Sequence, residues 1–297
     1  MSVYNCYDCN KVLCEDCFRK HNDEKKYQSH LMQLISNSYI LNCKFILEDN
    51  SPYNRRISDM KCLPNGEVVV AVLGQPELMT FSVRGMRRHF IELKESIWKM
   101  DVLDKDTVAG FLKNHSMAIV DIQQNHVHYV SDTAEGYRIG SLIYIENQLF
   151  VVNTSGIIVI DMSGSVKRRI KLGFTPHDMC YAGDSQRIYC IDSENSELIC
   201  IDRNGTIVFT YTDPSMTNLK TLTMDNEGDV LVLCGKVEDN SGNGIKVDSN
   251  GKSSEVVITN VKTSRDNCIC FHRLTNSVVI SVYNEVYIYT AKHTVNV

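Results

Sequence analysis

The sequence has no apolar run long enough to cross a membrane. The stretch from 142 to 160 is among the most apolar, but Glu146, Asn147, Asn153 and Thr154 interrupt it, whereas a transmembrane helix needs about 20 consecutive apolar residues. The first nine residues also lack the basic and then apolar pattern of a secretory signal. We therefore expect no membrane partner and a cytoplasmic location.

A strong excess of basic residues is missing too. The 297 residues carry 31 Lys and Arg against 36 Asp and Glu, which gives a formal net charge of −5. The first 43 residues are balanced, with five acidic and five basic side chains, so the acidic excess belongs to the remainder. Because nucleic-acid affinity rests mainly on clustered Lys and Arg, the composition does not favour a nucleic-acid partner.

Sustained helical periodicity and catalytic motifs are absent as well. No segment keeps a helical apolar period beyond one or two turns, which argues against a helical solenoid. The sequence has no Ser/His/Asp order, no glycine-rich phosphate loop and no paired-carboxylate motif in a supporting context. We therefore expect a protein that is not an enzyme.

The twelve cysteines are distributed unevenly. Eight of them lie mostly in apolar, strand-like runs, where buried thiols are expected. The other four form two Cys-x-x-Cys pairs near the N-terminus, and two histidines follow. Each pair places two thiolates on one turn, which matches half of the Zn²⁺ coordination tetrahedron. The segment thus predicts bound zinc that also supplies folding free energy. The candidate ligands are Cys6, Cys9, Cys14, Cys17, His21 and His30.

This spacing resembles the second half of a B-box zinc finger, a module of tripartite-motif proteins. The runs CYDCNKVLCEDCFRKH and HLMQLI carry the resemblance, and the Cys-x-x-His pair that opens a complete B-box is not present before them. The resemblance implies one four-ligand site at Cys6, Cys9, His21 and His30, with Cys14 and Cys17 left from a second site. A four-thiolate site on the two Cys-x-x-Cys pairs is one alternative, and unligated thiols are another. A closed site of either kind is structural rather than catalytic.

The rest of the sequence repeats a pattern about every 40 residues. Five segments read as strand, tight turn and strand, and their turn residues are 40, 39, 41 and 46 positions apart. Between them recurs a second pair of apolar strands joined by a polar turn, as in DMKCLPNGEVVVAV. Four short strands per unit are typical of a propeller blade, so the repeat predicts an all-β, six-bladed propeller. The turn residues are Gly85, Asn125, Gly164, Gly205 and Gly251.

The repeat count also predicts how the ring closes. The last repeat ends near Thr290 without a fourth strand, whereas KFILED, at 44–49, is an isolated strand-like run. We predict that 44–49 is the outer strand of the last blade, which would protect the sheet edge there. The expected domains are a zinc segment at 1–35, a linker at 36–43 and the propeller at 44–297. The widest repeat spacing is attributed to an extended loop from Leu233 to Gly244.

The recurrent order of apolar strand, Asp or Ser, two residues and Gly resembles the NHL repeat over roughly residues 44–297. The Trp-Asp ending of WD-type propellers is absent, since Trp98 is the only tryptophan. B-box and NHL modules occur together in tripartite-motif NHL proteins, so the resemblance implies a zinc-binding scaffold or adaptor with a protein partner on one propeller face. A RING finger and a long coiled coil are not found, because residues 31–43 are too few for two heptads. Substrate recognition for a ubiquitin ligase, with ubiquitin-pathway partners, is one alternative function.

Two basic clusters fall on or just after the predicted outer hairpin turns. Because related NHL propellers bind RNA across a positively charged face, the resemblance makes these residues candidates for phosphate contacts. An RNA-binding regulator is therefore a second alternative function. Solvated charges that protect outer strands from aggregation are the structural explanation of the same residues. The clusters are Arg84, Arg87 and Arg88, and Lys167, Arg168, Arg169 and Lys171.

Overall fold

The protein is a six-bladed β-propeller in which each blade is a four-stranded antiparallel sheet. The computed structural model describes residues 39–47, 56–130, 140–154, 156–236, 240–264 and 266–291, together with the backbone of three strands at 3–6, 11–14 and 32–35. Every regular element in these ranges is a strand, so the predicted all-β, six-bladed fold is confirmed. In the same ranges, no helix has the length and hydropathy that a membrane crossing requires.

The strands are numbered in chain order and belong to seven sheets. The N-terminal sheet contains β1 (Val3–Cys6), β2 (Lys11–Cys14) and β3 (Met32–Ile35). Blade 1 contains β5 (Ile57–Cys62), β6 (Glu67–Val72), β7 (Glu77–Ser82) and β8 (Arg87–Glu92). Blade 2 contains β9 (Ile97–Val102), β10 (Thr107–Leu112), β11 (Met117–Asp121) and β12 (His126–Val130). Blade 3 contains β13 (Leu142–Ile145), β14 (Gln148–Asn153), β15 (Gly156–Asp161) and β16 (Val166–Lys171). Blade 4 contains β17 (Asp178–Ala182), β18 (Arg187–Asp192), β19 (Glu197–Ile201) and β20 (Ile207–Tyr211). Blade 5 contains β21 (Leu219–Met224), β22 (Val230–Gly235), β23 (Ser241–Val247) and β24 (Ser254–Lys262). Blade 6 contains β25 (Cys268–His272), β26 (Ser277–Val282), β27 (Glu285–Ala291) and β4 (Tyr39–Ile46).

The second strand of each blade is largely buried, because the neighbouring blades cover both faces of the sheet there. In blade 1, β6 reads EVVVAV, and its last five residues are fully buried. A continuous apolar run of this kind is typical of strands that are covered on both faces. The outermost strand, β8, reads RRHFIE, and only Ile91 is buried. Polarity therefore increases along each blade from the second strand to the rim.

The hydrophobic core consists of six clusters, one between each pair of adjacent blades. Between blades 1 and 2, for example, Val69 and Ala71 of β6 belong to one cluster with Val108 and Ala118 of blade 2, and all four are fully buried. Because each blade contributes to two clusters, the stability of the ring depends on every blade having a complete sheet.

The Asp-x-x-Gly pattern of the repeat forms the outer hairpin turns. In blade 3, Asp161 Oδ1 accepts hydrogen bonds from the backbone N–H groups of Ser163 at 2.9 Å and Ser165 at 3.0 Å. Gly164, between these two residues, has a φ of +85°, which glycine adopts without a steric penalty. The same pair of bonds recurs at Ser82, Asp202 and Asp248.

Gly85 and Gly74 have similar positive φ angles but different surroundings. Substitutions at these two positions therefore distinguish the cost of backbone strain from the cost of overpacking. Gly85 has a φ of +79°, and a Cβ placed on it would lie 2.6 Å from the Phe45 Cβ; Gly74 has a φ of +72° with no atom within 4 Å of such a Cβ. We expect Gly74→Ala to cost about 1 kcal/mol of backbone strain, and Gly85→Ala about 3 kcal/mol because overpacking is added. Urea unfolding of both variants measures the difference. Equal losses would contradict the packing of Phe45 over the turn.

The ring closes through β4, which pairs antiparallel with β27 as the outermost strand of blade 6. The register runs from Tyr39 opposite Ala291 to Ile46 opposite Glu285. The closing strand expected at 44–49 therefore begins earlier, so residues 39–43 of the expected linker belong to the sheet. Residues 48 and 49 lie outside the described ranges. Blade 6 thus combines strands from both ends of the propeller sequence.

The prediction of an extended loop from Leu233 to Gly244 was wrong at both ends of this range, which are strand, and residues 237–239 lie outside the described ranges. Leu233 belongs to β22, and β23 already begins at Ser241. The two strands approach closely, since a Cβ on Gly242 would lie only 2.0 Å from the Cys234 carbonyl oxygen. Glycine in this segment therefore permits a close approach of two backbones and does not indicate a free loop.

Candidate functional site

The innermost strands, β5, β9, β13, β17, β21 and β25, surround a central channel as a closed ring of neighbours. We call the end at which these strands begin the lower face, and the end at which they finish the upper face. A cavity of about 280 Å³ lies at the upper face. The polar residues that line this cavity include Lys61, Asp101, Tyr144, Cys180, Thr223 and Arg273.

Carboxylates on the channel wall connect adjacent innermost strands. Asp59 on β5 accepts a hydrogen bond from the Met100 N–H on β9 at 2.8 Å. Asp101 on β9 accepts one from the Tyr144 N–H on β13 at 2.7 Å. Each carboxylate thus satisfies a backbone donor of the next blade, which holds the two blades in a fixed register.

Asp178 on β17 connects three blades. Its Oδ1 accepts a hydrogen bond from the Ser141 hydroxyl of blade 3 at 2.7 Å. Its Oδ2 accepts bonds from the Thr221 hydroxyl at 2.6 Å and the Leu222 N–H at 3.2 Å, both in blade 5. Asp178 is half-buried in the channel wall. It accepts more hydrogen bonds than Asp59 or Asp101, because its two oxygens bind donors from three blades.

Two lysines, Lys61 and Lys99, lie near these three carboxylates. Lys61 Nζ lies 3.7 Å from Asp101 Oδ1. Burial acts to lower the pKa of both Lys61 and Lys99, but nearby carboxylates outweigh burial and raise it above its ordinary value. Burial also acts to raise the pKa of Asp178, yet the charges of Lys99 and Lys61 hold that pKa below its usual range. The lysines and Asp178 are therefore charged at neutral pH.

The chemistry available to the channel wall is limited by these contacts. Asp59, Asp101 and Asp178 each accept backbone hydrogen bonds, which hold these carboxylates in place on the channel wall. Burial raises the pKa of the Cys180 thiol well above its ordinary value, which leaves it a protonated, weak nucleophile. The arrangement is suited to holding blades together.

Sequence reasoning missed these channel residues, although a signal was present. Asp59 and Lys61 lie two residues apart on β5, and Lys99 and Asp101 lie two residues apart on β9. Residues two apart on a strand share one face, so this spacing marks the side that faces the channel. An alignment of the innermost strands of successive repeats would have revealed it.

A group of exposed apolar side chains lies on the lower face, at blades 1, 2 and 6. The exposed fraction is 38% for Leu73, 42% for Trp98 and 46% for Tyr283. Trp98 is the second residue of β9, and the carbonyl of Ile97 before it accepts a hydrogen bond from the Ser58 hydroxyl of blade 1 at 2.7 Å. With Arg56, the three apolar residues form what we call the lower-face patch.

Backbone hydrogen bonds connect the other members of the patch. The Leu73 N–H donates to the Arg56 carbonyl at 2.7 Å, and the Ile57 N–H donates to the Tyr283 carbonyl at 2.9 Å. The guanidinium of Arg56 lies over the Tyr283 ring, 5.5 Å from its centroid. Arg56, Leu73 and Tyr283 are therefore neighbours, and Trp98 lies on the same face, next to the Ile97 carbonyl that binds blade 1.

The structure does not bring the two predicted basic clusters together. Arg84 lies in the turn before β8, with Arg87 and Arg88 on β8 itself, at the rim of blade 1. Lys167, Arg168, Arg169 and Lys171 lie on β16, at the rim of blade 3. Blade 2 separates these two rims. Both clusters are thus on the side of the propeller, not on a face.

Several of the basic side chains are occupied by protein contacts. Lys167 Nζ lies 2.6 Å from Asp161 Oδ2, and the Arg168 guanidinium donates to Asn204 Oδ1 and to the Arg203 carbonyl, both at 2.8 Å. Arg168 also lines an open cleft with Arg187 and Arg203. The Arg203 guanidinium donates to a Glu146 carboxylate oxygen at 2.8 Å, so this cleft is partly neutralised.

Most of the predicted zinc ligands lie outside the described residues, namely Cys9, Cys17, His21 and His30. For Cys6 and Cys14 the structure describes only the backbone. Cys6 pairs with Lys11, whereas Cys14 pairs with Val3, so the two cysteines lie at opposite ends of the β1–β2 pair. With a rise of about 3.4 Å per residue, their Cα atoms are roughly 10 Å apart along the strands.

An acidic cluster in blade 5 is filled by a lysine. The carboxylates of Asp225, Glu227 and Asp229 lie close together. Lys246 Nζ is 2.9 Å from Asp225 Oδ2 and 3.1 Å from Asp229 Oδ2, and it also contacts Glu227. Because the ammonium group already neutralises the carboxylates, the cluster is an ion-pair network that fixes the β21–β22 turn against β23.

The blades and channel place the protein in the six-bladed β-propeller class. No protein-family profile and no curated protein matches the sequence. A protein of unknown function from Bacteroides thetaiotaomicron VPI-5482 is similar, with a TM-score of 0.66 and 12% identity over 90% of this chain and 80% of that chain. A provisionally assigned gluconolactonase has a TM-score of 0.63 and 10% identity over 84% and 92% of the two chains. A streptogramin B lyase has a TM-score of 0.59 and 10% identity over 87% and 99%. At these identities the likeness concerns the fold alone.

Proposed function

We propose that the protein is a non-catalytic interaction scaffold that binds a protein partner through the lower-face patch. The observation that carries this proposal is the exposure of Trp98, the only tryptophan, on the same face of the propeller as the exposed Leu73 and Tyr283. Tryptophan, tyrosine and arginine are the residues enriched at the energetic centres of protein interfaces. Their proximity on one face is the arrangement that an anchor side chain of a partner would contact.

The chemistry of the partner follows from the residues around the patch. Arg56 and Lys113 are exposed, and the Lys113 N–H donates to the Ser96 carbonyl, two residues from Trp98. The Arg56 guanidinium lies 3.4 Å from the Asp266 carboxylate, so the charge that is available to a partner is that of Lys113. This charge favours a partner segment that has an apolar anchor side chain followed by a carboxylate. Charge complementarity at the rim mainly affects the association rate, so added salt should slow binding.

The engagement of the channel residues supports a scaffold and not a hydrolase or lyase. The carboxylates and lysines of the channel wall compensate one another, and the carboxylates accept backbone hydrogen bonds. Groups held in this way stabilise the ring. The proposal therefore places function on the lower face and assigns the channel a structural role.

The test uses the full-length chain with a photocrosslinking amino acid at position 98 to capture the partner. The captured protein is then purified and titrated against variants. We expect Trp98→Ala and Tyr283→Ala each to raise Kd about tenfold or more, because hot-spot truncations cost about 2 kcal/mol. Val208→Ala is the matched control, since Val208 is 45% exposed on β20, and its Kd should stay within about twofold of wild type. Trp98→Ala with wild-type affinity would refute the patch as the binding site.

We further propose that the N-terminal segment binds one structural zinc ion, as in the tripartite-motif NHL proteins that it resembles. The separation of Cys6 from Cys14 along the β1–β2 pair supports separate sites for these cysteines, because two thiolates of one zinc ion lie about 4 Å apart. Met32, two residues after His30, pairs with Cys6. This register favours the ligand set of Cys6, Cys9, His21 and His30.

Native mass spectrometry distinguishes the two zinc assignments. We expect one zinc ion in the wild-type chain and in the Cys14→Ser, Cys17→Ser double variant, and none in the His21→Ala, His30→Ala double variant. The opposite result would support the four-thiolate site, and a wild-type chain without zinc would refute the proposal.

A further inference from the structure

Two thiols meet at the upper end of the channel. Cys62 is the last residue of β5, and Cys270 lies in the middle of β25. Their Sγ atoms are 2.8 Å apart. These strands belong to blades 1 and 6, which are the first and last blades of the ring. The contact therefore spans the interface at which the propeller closes, between residues that are 208 positions apart in the sequence.

The distance between the two sulfur atoms decides what chemistry the pair can perform. Two thiolates that share a tetrahedral zinc ion at about 2.3 Å lie roughly 3.8 Å apart, so no metal ion fits between these atoms. A covalent bond needs an approach of only about 0.8 Å, because a disulfide is about 2.05 Å long. We propose that Cys62 and Cys270 form a reversible disulfide bond that links the first and last blades.

The reaction is a two-electron oxidation for which a hydroperoxide is the oxidant. The Cys62 thiol is half-buried and the Cys270 thiol is buried, and both residues line the upper cavity. Cys62 first gives its thiol proton to solvent, and the thiolate Sγ then attacks the peroxide. The O–O bond breaks to give a sulfenic acid and hydroxide, and the hydroxide takes a proton from solvent to form water. Cys270 Sγ then attacks the Cys62 sulfur, the S–O bond breaks, and the released hydroxide takes the Cys270 proton to give a second water. Two thiols and one hydrogen peroxide thus yield one disulfide and two waters.

The disulfide would add a covalent closure to the hydrogen-bonded closure by β4. It would enclose the chain from residue 62 to residue 270 in one loop, and a disulfide that closes a long loop strongly constrains the unfolded chain. The bond lies at the upper end of the channel, whereas the lower-face patch is at the other end. The inference is therefore independent of the proposed partner binding.

Peptide mapping tests the disulfide directly. The reduced full-length chain is treated with hydrogen peroxide, alkylated in denaturant and digested without reductant. We expect a linked peptide that contains Cys62 and Cys270, two hydrogens lighter than the sum of its parts, which disappears after treatment with dithiothreitol. The melting temperature should rise by about 5 °C or more on oxidation and return on reduction.

Two cysteine variants control the mapping. Cys268→Ser changes a second buried thiol of β25 and should leave the linked peptide intact, whereas Cys62→Ser should abolish it. If Cys62→Ser fails to fold, the presence or absence of the linked peptide in the wild-type chain decides the test. Recovery of both Cys62 and Cys270 as separately alkylated or singly oxidised residues after peroxide treatment would overturn the proposal.

Discussion

Asp178→Ala is expected to lower the free energy of unfolding by about 3 kcal/mol, because the change leaves several polar groups in the protein interior without their acceptor. The hydroxyls of Ser141 and Thr221 and the N–H of Leu222 all donate to this carboxylate. Its removal also takes away a negative charge close to Lys99. Urea unfolding at neutral pH measures the loss.

The matched control for this variant is Asp184→Ala. Asp184 lies in the turn between β17 and β18 of the same blade, is exposed, and has no hydrogen bond or ion pair in the described part of the chain. Its replacement should change the free energy of unfolding by less than about 0.5 kcal/mol. Similar losses for both variants would contradict the bridging role of Asp178.

The pH dependence of Asp178→Asn checks the same contacts by another route. The pKa of Asp178 is held below its usual range in the folded protein. Its ionised form therefore contributes stability above the unfolded pKa of about 3.9, and this contribution is lost as the pH falls through the folded pKa. We expect the stability gap between the wild type and Asp178→Asn to be constant from pH 7 to 5 and to shrink below about pH 4. A gap that does not change with pH would assign the effect to packing instead of charge.

The fold could be predicted from the sequence because the turns and strands of each repeat are determined by residues close together in the sequence. Asp161 and Gly164 define a hairpin turn through bonds to the nearest backbone groups, and the apolar run of β6 requires cover on both faces. These features depend on a few neighbouring residues, and their recurrence gives the number of blades. Closure by a strand from before the first blade also followed from counting, although β4 begins at Tyr39 and not at Lys44.

The candidate site could not be predicted in the same way because it depends on contacts between repeats. Arg56 and Leu73 belong to blade 1 and Tyr283 belongs to blade 6, so only the closed ring places Tyr283 beside the other two. Cys62 and Cys270 likewise meet only after the last blade has packed against the first. The glycines near Gly242 led to a loop being predicted where the structure has strands. A close approach of two strands requires glycine just as a loop does, so the local composition does not distinguish the two.

The second large loss of stability is expected for a substitution next to the closing strand. Leu47 follows β4 directly, is 2% exposed, and belongs to the cluster between blades 6 and 1. Its N–H donates to the Asn284 carbonyl at 2.9 Å. We expect Leu47→Ala to lower the free energy of unfolding by about 3 kcal/mol, since the large-to-small change leaves a cavity in a core that cannot fully collapse.

Ile46 provides an internal control for this expectation. It precedes Leu47 in the sequence but is 53% exposed, so Ile46→Ala should cost less than about 0.5 kcal/mol. Deletion of residues 39–47 should have a much larger effect than Leu47→Ala, because β27 would then lose its only partner on that side and the cluster between blades 6 and 1 would be open to water. If the melting temperature of the deletion variant matched that of the full chain, β4 would not be the element that closes the ring. The large loss expected here follows from the topology of the ring. β4 completes the sheet of blade 6, and that sheet covers the core that blade 6 shares with blade 1.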